Sequence, residues 1–359
     1  MTVPSVRRQG SPPSCHIRPP PRAGTCAVRR APSAEGSVFL VTGGNAGIGC
    51  FVAEQLAASG ATVVLGSRSA ARAEAALGSI RSRVPGARVR AVPLDLADPS
   101  SLGPSVDALG VDRLDAVVHN AGVALDDPPR QETRDGHELM FGTNHLGHFA
   151  LTHWLMPLLS AAPAARVVTV GSFAAKTERL DLADLQSRHD YRPKRTYGRS
   201  KLAQMYFGLE LDRRLRALGS TVTSVVAHPG GALDSLTPSR PPVHVRTTAA
   251  RLRSAPAALF VQGKHAGAWP VVRAVLDPRG ARGAGVGTTF LRPARSAASR
   301  DGVASPGRPV RRGGAVGGQL RVDRRGPGRR ARMTFRARPC PAGCDVLACA
   351  AGNEQSPDR

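Results

Sequence analysis

The sequence predicts an α/β fold in which a doubly wound parallel sheet lies between two layers of helices. Three observations predict this three-layer α/β/α arrangement. Between residues 37 and 279, short apolar runs alternate with longer helical patterns, as in chains of βαβ units. The apolar runs are nearly continuous, which is typical of strands covered on both faces. A glycine-rich segment follows the first run and opens the first helical pattern, a position typical of nucleotide-binding loops.

The elements are predicted from apolar runs for strands and from 3.6-residue periodicity for helices. The predicted strands cover 38–41, 62–65, 89–94, 114–118, 166–170 and 222–227. The predicted helices cover 47–59, 69–82, 99–109, 133–160 and 196–218. A chain of this kind has the usual strand order 3-2-1-4-5-6. The sequence shows no clear pattern for a seventh strand.

The two flanks differ from the central segment in composition and charge. The 359 residues carry a formal net charge of +24. Six Arg and one acidic residue occupy 1–36, sixteen Arg and five acidic residues occupy 280–359, and every Lys lies between these flanks. Segments rich in Arg, Pro and Gly bury too little apolar surface to offset the entropy of ordering. We therefore predict one folded domain at 37–279 between a disordered N-terminal extension, 1–36, and a disordered tail, 280–359.

The basic tail leaves nucleic-acid binding as an alternative function. Arginines between Arg321 and Arg332 could neutralise phosphates. The tail lacks the interleaved aromatic residues of a single-strand binding platform. A solvated tail without a nucleic-acid partner is therefore the favoured interpretation.

Composition also bears on location and on metals. No apolar run approaches the ~18 residues of a membrane span, and the N-terminus lacks the apolar core of a secretory signal. Cys50 is the one cysteine of the central segment, so no disulfide framework is expected there. These features favour a cytoplasmic location. His145, His148 and His153 suggest a metal site because 145 and 148 share a helix face, but no third ligand has convincing spacing, so no metal is expected.

The segment Thr42 to Gly49 has the pattern of a dinucleotide-binding loop. Its glycines allow a tight turn and a close approach to a pyrophosphate, which then rests on the positive helix N-terminus. The strand–loop–helix setting predicts a Rossmann-type nucleotide site. The residues assigned to the cofactor here are Gly43, Asn45, Gly47, Ile48 and Gly49.

The ends of the next strands extend this predicted site. Arg68 ends the second strand, where an acidic residue would favour NAD; an arginine can pair with a 2′-phosphate, so NADP(H) is favoured over NAD(H). Asp95 and Leu96 follow the third strand, where the carboxylate could accept a hydrogen bond from the adenine amino group. Asn120, Ala121 and Gly122 follow the fourth strand, and all these strand ends converge on one crevice.

Tyr197 and Lys201 are the strongest chemical signal. Four residues apart on a helix, they leave the same face. A cation ~5 Å from a phenol at an effective dielectric of ~20 would lower the tyrosine pKa by roughly two units. The pair therefore predicts a proton donor that works near neutral pH.

Together these motifs resemble the short-chain dehydrogenase/reductase family, and most closely its retinol-dehydrogenase-like branch. The resemblance covers about 37–279. Besides the segments above, it rests on Asn144-His145-Leu146-Gly147-His148-Phe149, Ser172, and Pro229-Gly230.

The resemblance implies a carbonyl/alcohol oxidoreductase with a catalytic tetrad of Asn144, Ser172, Tyr197 and Lys201. Ser172 would bind the substrate carbonyl, and Tyr197 would transfer the proton. Lys201 would also bind the nicotinamide ribose, and Asn144 would hold a water linking Lys201 to solvent. Pro229 and Gly230 would complete the cofactor site. A small, apolar substrate and a homodimer are further family-level expectations.

Several positions depart from the family pattern. His119 and Gly171 replace the first Asn and the first Ser of two family motifs, and 182–191 looks like the insertion of the retinol-dehydrogenase-like branch. Leu233-Asp234-Ser235 stands where many members place a Thr on the nicotinamide amide. The resemblance ends near 280, where composition suggests DNA read out of frame. An inactive or truncated reductase-like protein is therefore a second alternative.

Overall fold

The computed structural model describes residues 32–245 and 261–277, together with the backbone of three short strands at 288–289, 318–322 and 333–337. The elements in chain order are β1 Val38–Thr42, α1 Gly47–Ala58, β2 Thr62–Ser67, α2 Ala70–Arg83, β3 Arg88–Pro93, α3 Leu102–Asp107, β4 Ala116–His119, α4 Leu139–Phe141, α5 Gly147–Ala161, β5 Arg166–Val170, α6 Pro193–Ala217, β6 Thr223–Ala227, β7 Ala232–Leu233, β8 Gln262–Gly263, α7 Lys264–Gly267, α8 Trp269–Leu276, β9 Thr288–Thr289, β10 Gly318–Val322 and β11 Met333–Ala337.

The main sheet has the order β3-β2-β1-β4-β5-β6-β9. Its strands are parallel throughout. The predicted fold class and the order 3-2-1-4-5-6 are therefore confirmed. At the seventh position, where the sequence shows no clear strand, the two-residue strand β9 pairs with the end of β6. The two smaller pairs are β7 with β8, parallel, and β10 with β11, antiparallel.

The core lies on both faces of the sheet because neighbouring strand residues point in opposite directions. In β1, Phe39 and Val41 pack in one cluster with Leu56 of α1. Leu40, between them, packs in a second cluster with Leu155 of α5 and Leu215 of α6. Burial on both faces explains why the inner strands β1, β2 and β4 are nearly continuously apolar in sequence.

The helical pattern predicted for 133–160 is partly wrong. The helix begins only at Leu139, because Gly136 closes a turn onto Thr133 by a backbone hydrogen bond of 3.0 Å. The buried Glu138 caps this start by accepting from the backbone N–H groups of Met140 and Phe141 at 3.0 and 2.6 Å. Burial raises the pKa of Glu138. A π-helical turn, Gly142–Leu146, then leads into α5.

The folded unit begins before the predicted boundary at 37. Ala34 is buried, and its N–H donates to the carbonyl of Ser59 at 2.8 Å. The predicted disorder concerns 1–36 and 280–359; residues 1–31 and most residues after 277 lie outside the described part of the chain. Within that part, we find no helix whose length and apolar character would let it cross a bilayer.

Candidate active site

A cavity of about 720 Å³ lies at the carboxyl ends of β1 to β4. Because β1 lies between β2 and β4, the order in which successive strands are added to the sheet reverses at β1, and open α/β sheets bind ligands at such switch points. The cavity is lined by Gly43, Asn45, Ala46, Gly47, Ile48, Gly66, Ser67, Arg68, Ser69, Arg72, Leu94, Leu96, Asn120, Ala121, Gly122, Val123, Thr143, Tyr197 and Lys264.

The glycine loop between β1 and α1 forms one wall. Gly47 has φ of 55°, which a residue with a side chain rarely adopts. Gly49 lies against Asn120: a β-carbon there would come within 2.3 Å of Asn120 Nδ2. Ala46 caps α1 without a side-chain hydrogen bond, and the first turn has no acidic residue. The N-terminus of α1 is thus arranged to receive an anionic ligand.

The ends of β1 and β4 are joined through Thr42 and Asn120. Thr42 Oγ1 accepts from the backbone N–H groups of Asn120 and Ala121, both at 3.0 Å, and donates to the Val118 carbonyl at 3.1 Å. Asn120 Nδ2 donates to the Thr42 carbonyl at 2.9 Å. The side chain of Asn120 therefore supports the glycine loop from behind, while Ala121 and Gly122 face the cavity.

The cavity's far end, beyond β2, is basic. Arg68 and Arg72 are exposed and line the cavity. Ser69 places them by capping α2, its hydroxyl accepting from the Arg72 N–H at 3.4 Å. The described lining residues include no carboxylate. This end is electrostatically suited to a phosphate.

Asp95 lies in the turn after β3, and its contact with adenine stays a prediction. Its neighbours Leu94 and Leu96 line the cavity, but Asp95 is absent from the lining. Its Oδ1 accepts from the Ala97 N–H at 2.9 Å and so stabilises the turn after β3. Asp side chains commonly accept a hydrogen bond from the backbone N–H two residues later, and one oxygen of Asp95 is used in this way.

Tyr197 and Lys201 lie on α6 in different environments. Tyr197 is half-buried and lines the cavity. Lys201 is buried, and its Nζ donates to the Val170 carbonyl at 2.7 Å and to Gln204 Oε1 at 2.5 Å. Burial lowers the pKa of Lys201 to about 8. The ammonium is therefore fixed between the end of β5 and the next turn of its own helix.

Asn144 lies in the π-helical turn and is fully buried. Its Oδ1 accepts from the Val123 N–H at 2.7 Å, and its Nδ2 donates to the Val123 carbonyl at 3.0 Å and to Ser200 Oγ at 2.9 Å. Ser200 directly precedes Lys201. The Asn144 side chain therefore joins the loop after β4 to α6, and both of its polar atoms contact protein.

Ser172 follows β5 and begins the 3₁₀ turn Phe173–Thr177, its hydroxyl accepting from the Ala174 N–H at 3.3 Å. This turn lies tightly against α6 at Gly198. A β-carbon at Gly198 would come within 2.5 Å of the Ala174 carbonyl oxygen. Gly198 therefore brings the turn that begins at Ser172 next to the helix turn of Tyr197.

A buried network that the sequence does not predict lies next to Lys201. Gln204 Nε2 lies 3.2 Å from His148 Nδ1, and His148 Nε2 lies 3.0 Å from Thr42 Oγ1. The His119 ring packs on His148 with centroids 4.7 Å apart. Burial lowers the pKa of His119 to about 3 and that of His148 well below its ordinary value. The one sequence signal was Gln204, which lies one helical turn after Lys201.

The three histidines considered as metal ligands have separate surroundings. The His145 ring packs against Phe141 and Phe207, with centroids 5.1 and 6.2 Å apart, and burial lowers its pKa to about 4. His148 belongs to the network next to Lys201, and His153 is exposed. Among the described residues, no group of three or more His, Cys, Asp or Glu could hold a metal ion.

Pro229 and Gly230 lie beyond β6 and outside the cavity lining. The Pro229 carbonyl accepts from Gln262 Nε2 at 2.7 Å and so supports the segment that carries β8. The cofactor contact of Pro229 and Gly230 stays a prediction. Lys264, which follows β8, does line the cavity. The sequence does not predict this position, because Lys264 comes after a long segment without a clear pattern.

The short chain dehydrogenase family profile matches residues 37–233. The chain is 41% identical to mouse polyprenol dehydrogenase over 268 residues, 73% of this chain and 77% of that protein. It is 37% identical to mouse retinol dehydrogenase 12 over 56% of this chain, but spans less than two thirds, 63%, of that protein. A crystal structure of an uncharacterized protein from Mycobacterium paratuberculosis is 36% identical, with a TM-score of 0.53, over 68% of this chain and 78% of that one.

Proposed function

Because this chain belongs to the short-chain dehydrogenase family, in its retinol-dehydrogenase-like branch, and such proteins are NAD(P)-dependent oxidoreductases, we propose that it interconverts an alcohol and a carbonyl compound using NADP(H). The observation that carries this proposal is the position of Tyr197. Its side chain lines the same cavity as the glycine loop, and Lys201 lies one helical turn further on.

The residues of the cavity fit a dinucleotide. The wall next to α1 offers the backbone N–H groups of a helix N-terminus, and Gly43 and Gly47 line it without a side chain. Arg68 lines the cavity beyond β2, where the adenosine end of the dinucleotide would lie. Tyr197 also lines the cavity and would lie near the nicotinamide. When bound, the nicotinamide ring supplies or accepts the hydride.

Tyr197 is the proposed proton donor and acceptor. In reduction its phenol donates a proton to the substrate oxygen, and in oxidation the phenolate accepts it. The Ser172 hydroxyl donates a hydrogen bond to the same oxygen. The Lys201 ammonium, held by Val170 and Gln204, adds a positive charge one helical turn from Tyr197.

The expected water at Asn144 stays a prediction. The contacts of its side chain with Val123 and Ser200 support a different role in the proposal. Asn144 fixes the position of α6 relative to the loop after β4, and α6 carries both Tyr197 and Lys201.

We base the preference for NADP(H) on Arg68 and Arg72. Guanidinium groups bind phosphate oxygens in a bidentate geometry, and both arginines lie where the 2′-position of the adenosine ribose is expected. NADH lacks the 2′-phosphate and would therefore make no such contact with the two guanidinium groups.

We propose an apolar alcohol or aldehyde, of the retinoid or polyprenol type, as the substrate. Phe173, directly after Ser172, is 52% exposed although its ring packs on His228. Leu233, after Pro229-Gly230, is 39% exposed. Two relatives are named polyprenol dehydrogenase and retinol dehydrogenase 12, and these names give a polyprenol and retinol as the alcohols. The homodimer and the cytoplasmic location stay predictions.

Tyr197→Phe tests the proposal. NADPH oxidation by the full chain is measured with a panel of apolar aldehydes, and the loss should be about 10²- to 10⁴-fold in kcat, the usual contribution of a general acid. Tyr206→Phe is the matched control, because Tyr206 lies on the same helix and is 54% exposed. Unchanged activity in Tyr197→Phe would contradict the mechanism.

The two alternatives predict other outcomes. An inactive reductase-like protein would bind NADPH but oxidise it with no aldehyde in the panel. Nucleic-acid binding through the basic tail would give gel shifts at moderate salt that disappear when residues 280–359 are removed.

A further inference from the structure

We propose that Lys264 is a further cofactor-binding residue whose ammonium binds the diphosphate of the dinucleotide, and that Asp234 competes with that diphosphate for it. The inference rests on the proposed function. Lys264 would add a diphosphate ligand that comes from the residue after β8 and not from the glycine loop.

Lys264 Nζ lies next to the glycine loop. Lys264 lines the cavity, and a β-carbon built on Gly47 would lie 3.7 Å from its Nζ. Gly47 is the first residue of α1. The ammonium therefore lies directly over the positive end of a twelve-residue helix, and two positive groups that converge on one space select an anion.

Lys264 is held in this place from two sides. Its backbone N–H donates to Oγ1 of the buried Thr237 at 2.8 Å. The next residue, His265, accepts through its carbonyl from Gln55 Nε2 of α1 at 2.8 Å. The backbone at Lys264 is thus anchored to the helix whose N-terminus its side chain covers, which keeps the ammonium near the loop.

Asp234 supplies the balancing charge. Its Oδ1 lies 2.7 Å from Lys264 Nζ. The Asp234 side chain is 41% exposed and that of Lys264 is 25% exposed, so water and ligands can reach the pair. A diphosphate over α1 would offer the ammonium oxygens in place of the carboxylate, and the carboxylate would at the same time repel the diphosphate.

The position of Lys264 separates its role from that of the arginines. Arg68 and Arg72 lie beyond β2, where a 2′-phosphate is expected, while Lys264 faces the glycine loop after β1. A diphosphate is common to NADPH and NADH. Lys264 should therefore affect both cofactors equally, and Arg68 should distinguish between them.

The test is the affinity of the full-length protein for NADPH, NADH and adenosine 2′-monophosphate, measured by calorimetry or by competition. Lys264→Met should weaken NADPH and NADH by the same factor, about tenfold or more, as expected for one lost charge-assisted hydrogen bond. Adenosine 2′-monophosphate, which has no diphosphate, should bind with unchanged affinity and so shows that the variant is folded. Lys264→Arg should retain most of the affinity, and Asp234→Asn should tighten both dinucleotides.

Each other outcome overturns the proposal. Equal affinities of Lys264→Met and the wild type for both dinucleotides would remove Lys264 from the site. A loss confined to NADPH would assign Lys264 to the 2′-phosphate, and weaker binding by Asp234→Asn would show that Asp234 assists instead of competing. If the wild-type protein binds neither dinucleotide, the proposed function fails and this inference fails with it.

Discussion

The buried amide of Asn144 donates a hydrogen bond of 2.9 Å to the hydroxyl of Ser200. Ser200 Oγ in turn donates to the Tyr197 carbonyl at 2.7 Å. Two residues far apart in the chain are thus joined beside the Tyr197–Lys201 turn. This contact ties the π-helical turn before α5 to the helix that carries the proposed proton donor.

Ser200→Ala should weaken this connection. The variant leaves Asn144 Nδ2 with only the Val123 carbonyl, and we expect a loss of about 1–3 kcal/mol in the free energy of unfolding. Aldehyde reduction should also lose kcat, because the position of α6 is less defined. Urea unfolding and kinetics measure both effects.

Ser82→Ala is the matched control for Ser200→Ala. Ser82 is exposed on α2 and makes the same local bond, to the carbonyl three residues before it, at 2.8 Å. It should change stability by only a few tenths of a kcal/mol. Equal effects of the two substitutions would remove the special role of the Asn144 contact.

Lys201 makes stability depend on pH in the alkaline range. Burial lowers its pKa from 10.5 to about 8, so the unfolded state binds more protons between these values. Stability should therefore rise with pH in this window, while below pH 8 the penalty for burying the charge is fully present. The gain relative to Lys201→Met should be roughly 3 kcal/mol.

The measurement is urea unfolding of both proteins between pH 7 and pH 10.5. Lys194→Met is the control, since Lys194 is exposed on the first turn of the same helix. Its stability should follow that of the wild type. If the Lys201→Met curve also runs parallel to the wild type, Lys201 is not a buried charge.

His145 should produce the opposite dependence in the acid range. Its pKa is lowered from 6.5 to about 4 by burial, so the unfolded state takes up a proton that the folded state excludes. Stability therefore falls as pH decreases from 6.5 to 4. His145→Phe removes that uptake and should gain roughly 3 kcal/mol relative to the wild type across this range.

Chemical unfolding between pH 7 and pH 4 checks this prediction. His153→Phe is the control, because His153 lies on α5 and is exposed. It should leave the slope unchanged. An identical slope for His145→Phe would mean that His145 is protonated in the folded protein.

Arg68→Asp should change cofactor preference. Replacing the guanidinium by a carboxylate removes a phosphate contact and adds repulsion, so NADPH affinity should fall by about tenfold or more, while NADH affinity should change by less than about threefold. Fluorescence titration of both cofactors measures the ratio. Arg83→Asp, at the other end of α2, controls for net charge. Equal losses for both cofactors would contradict the assignment.

The sequence by itself determined the sheet and the positions of the main motifs. Apolar strands and alternating helices predict a parallel sheet between helices, because periodicity and strand burial are local properties of the chain. The strand order was expected from the Rossmann-type fold, and the structure has that order. The Gly43–Gly49 loop and the Tyr197–Lys201 spacing are readable for the same reason. Each lies within one loop or one helical turn.

The tertiary structure decided which side chains meet. Asp95 bonds to its own turn, and Lys264 lies over Gly47 although a long segment without a clear pattern precedes it. Gln204 holds Lys201, and Asn144 holds Ser200. Contacts of this kind depend on which distant segments pack together in the fold. The spacing of residues within one loop or one helix does not show which segments these are.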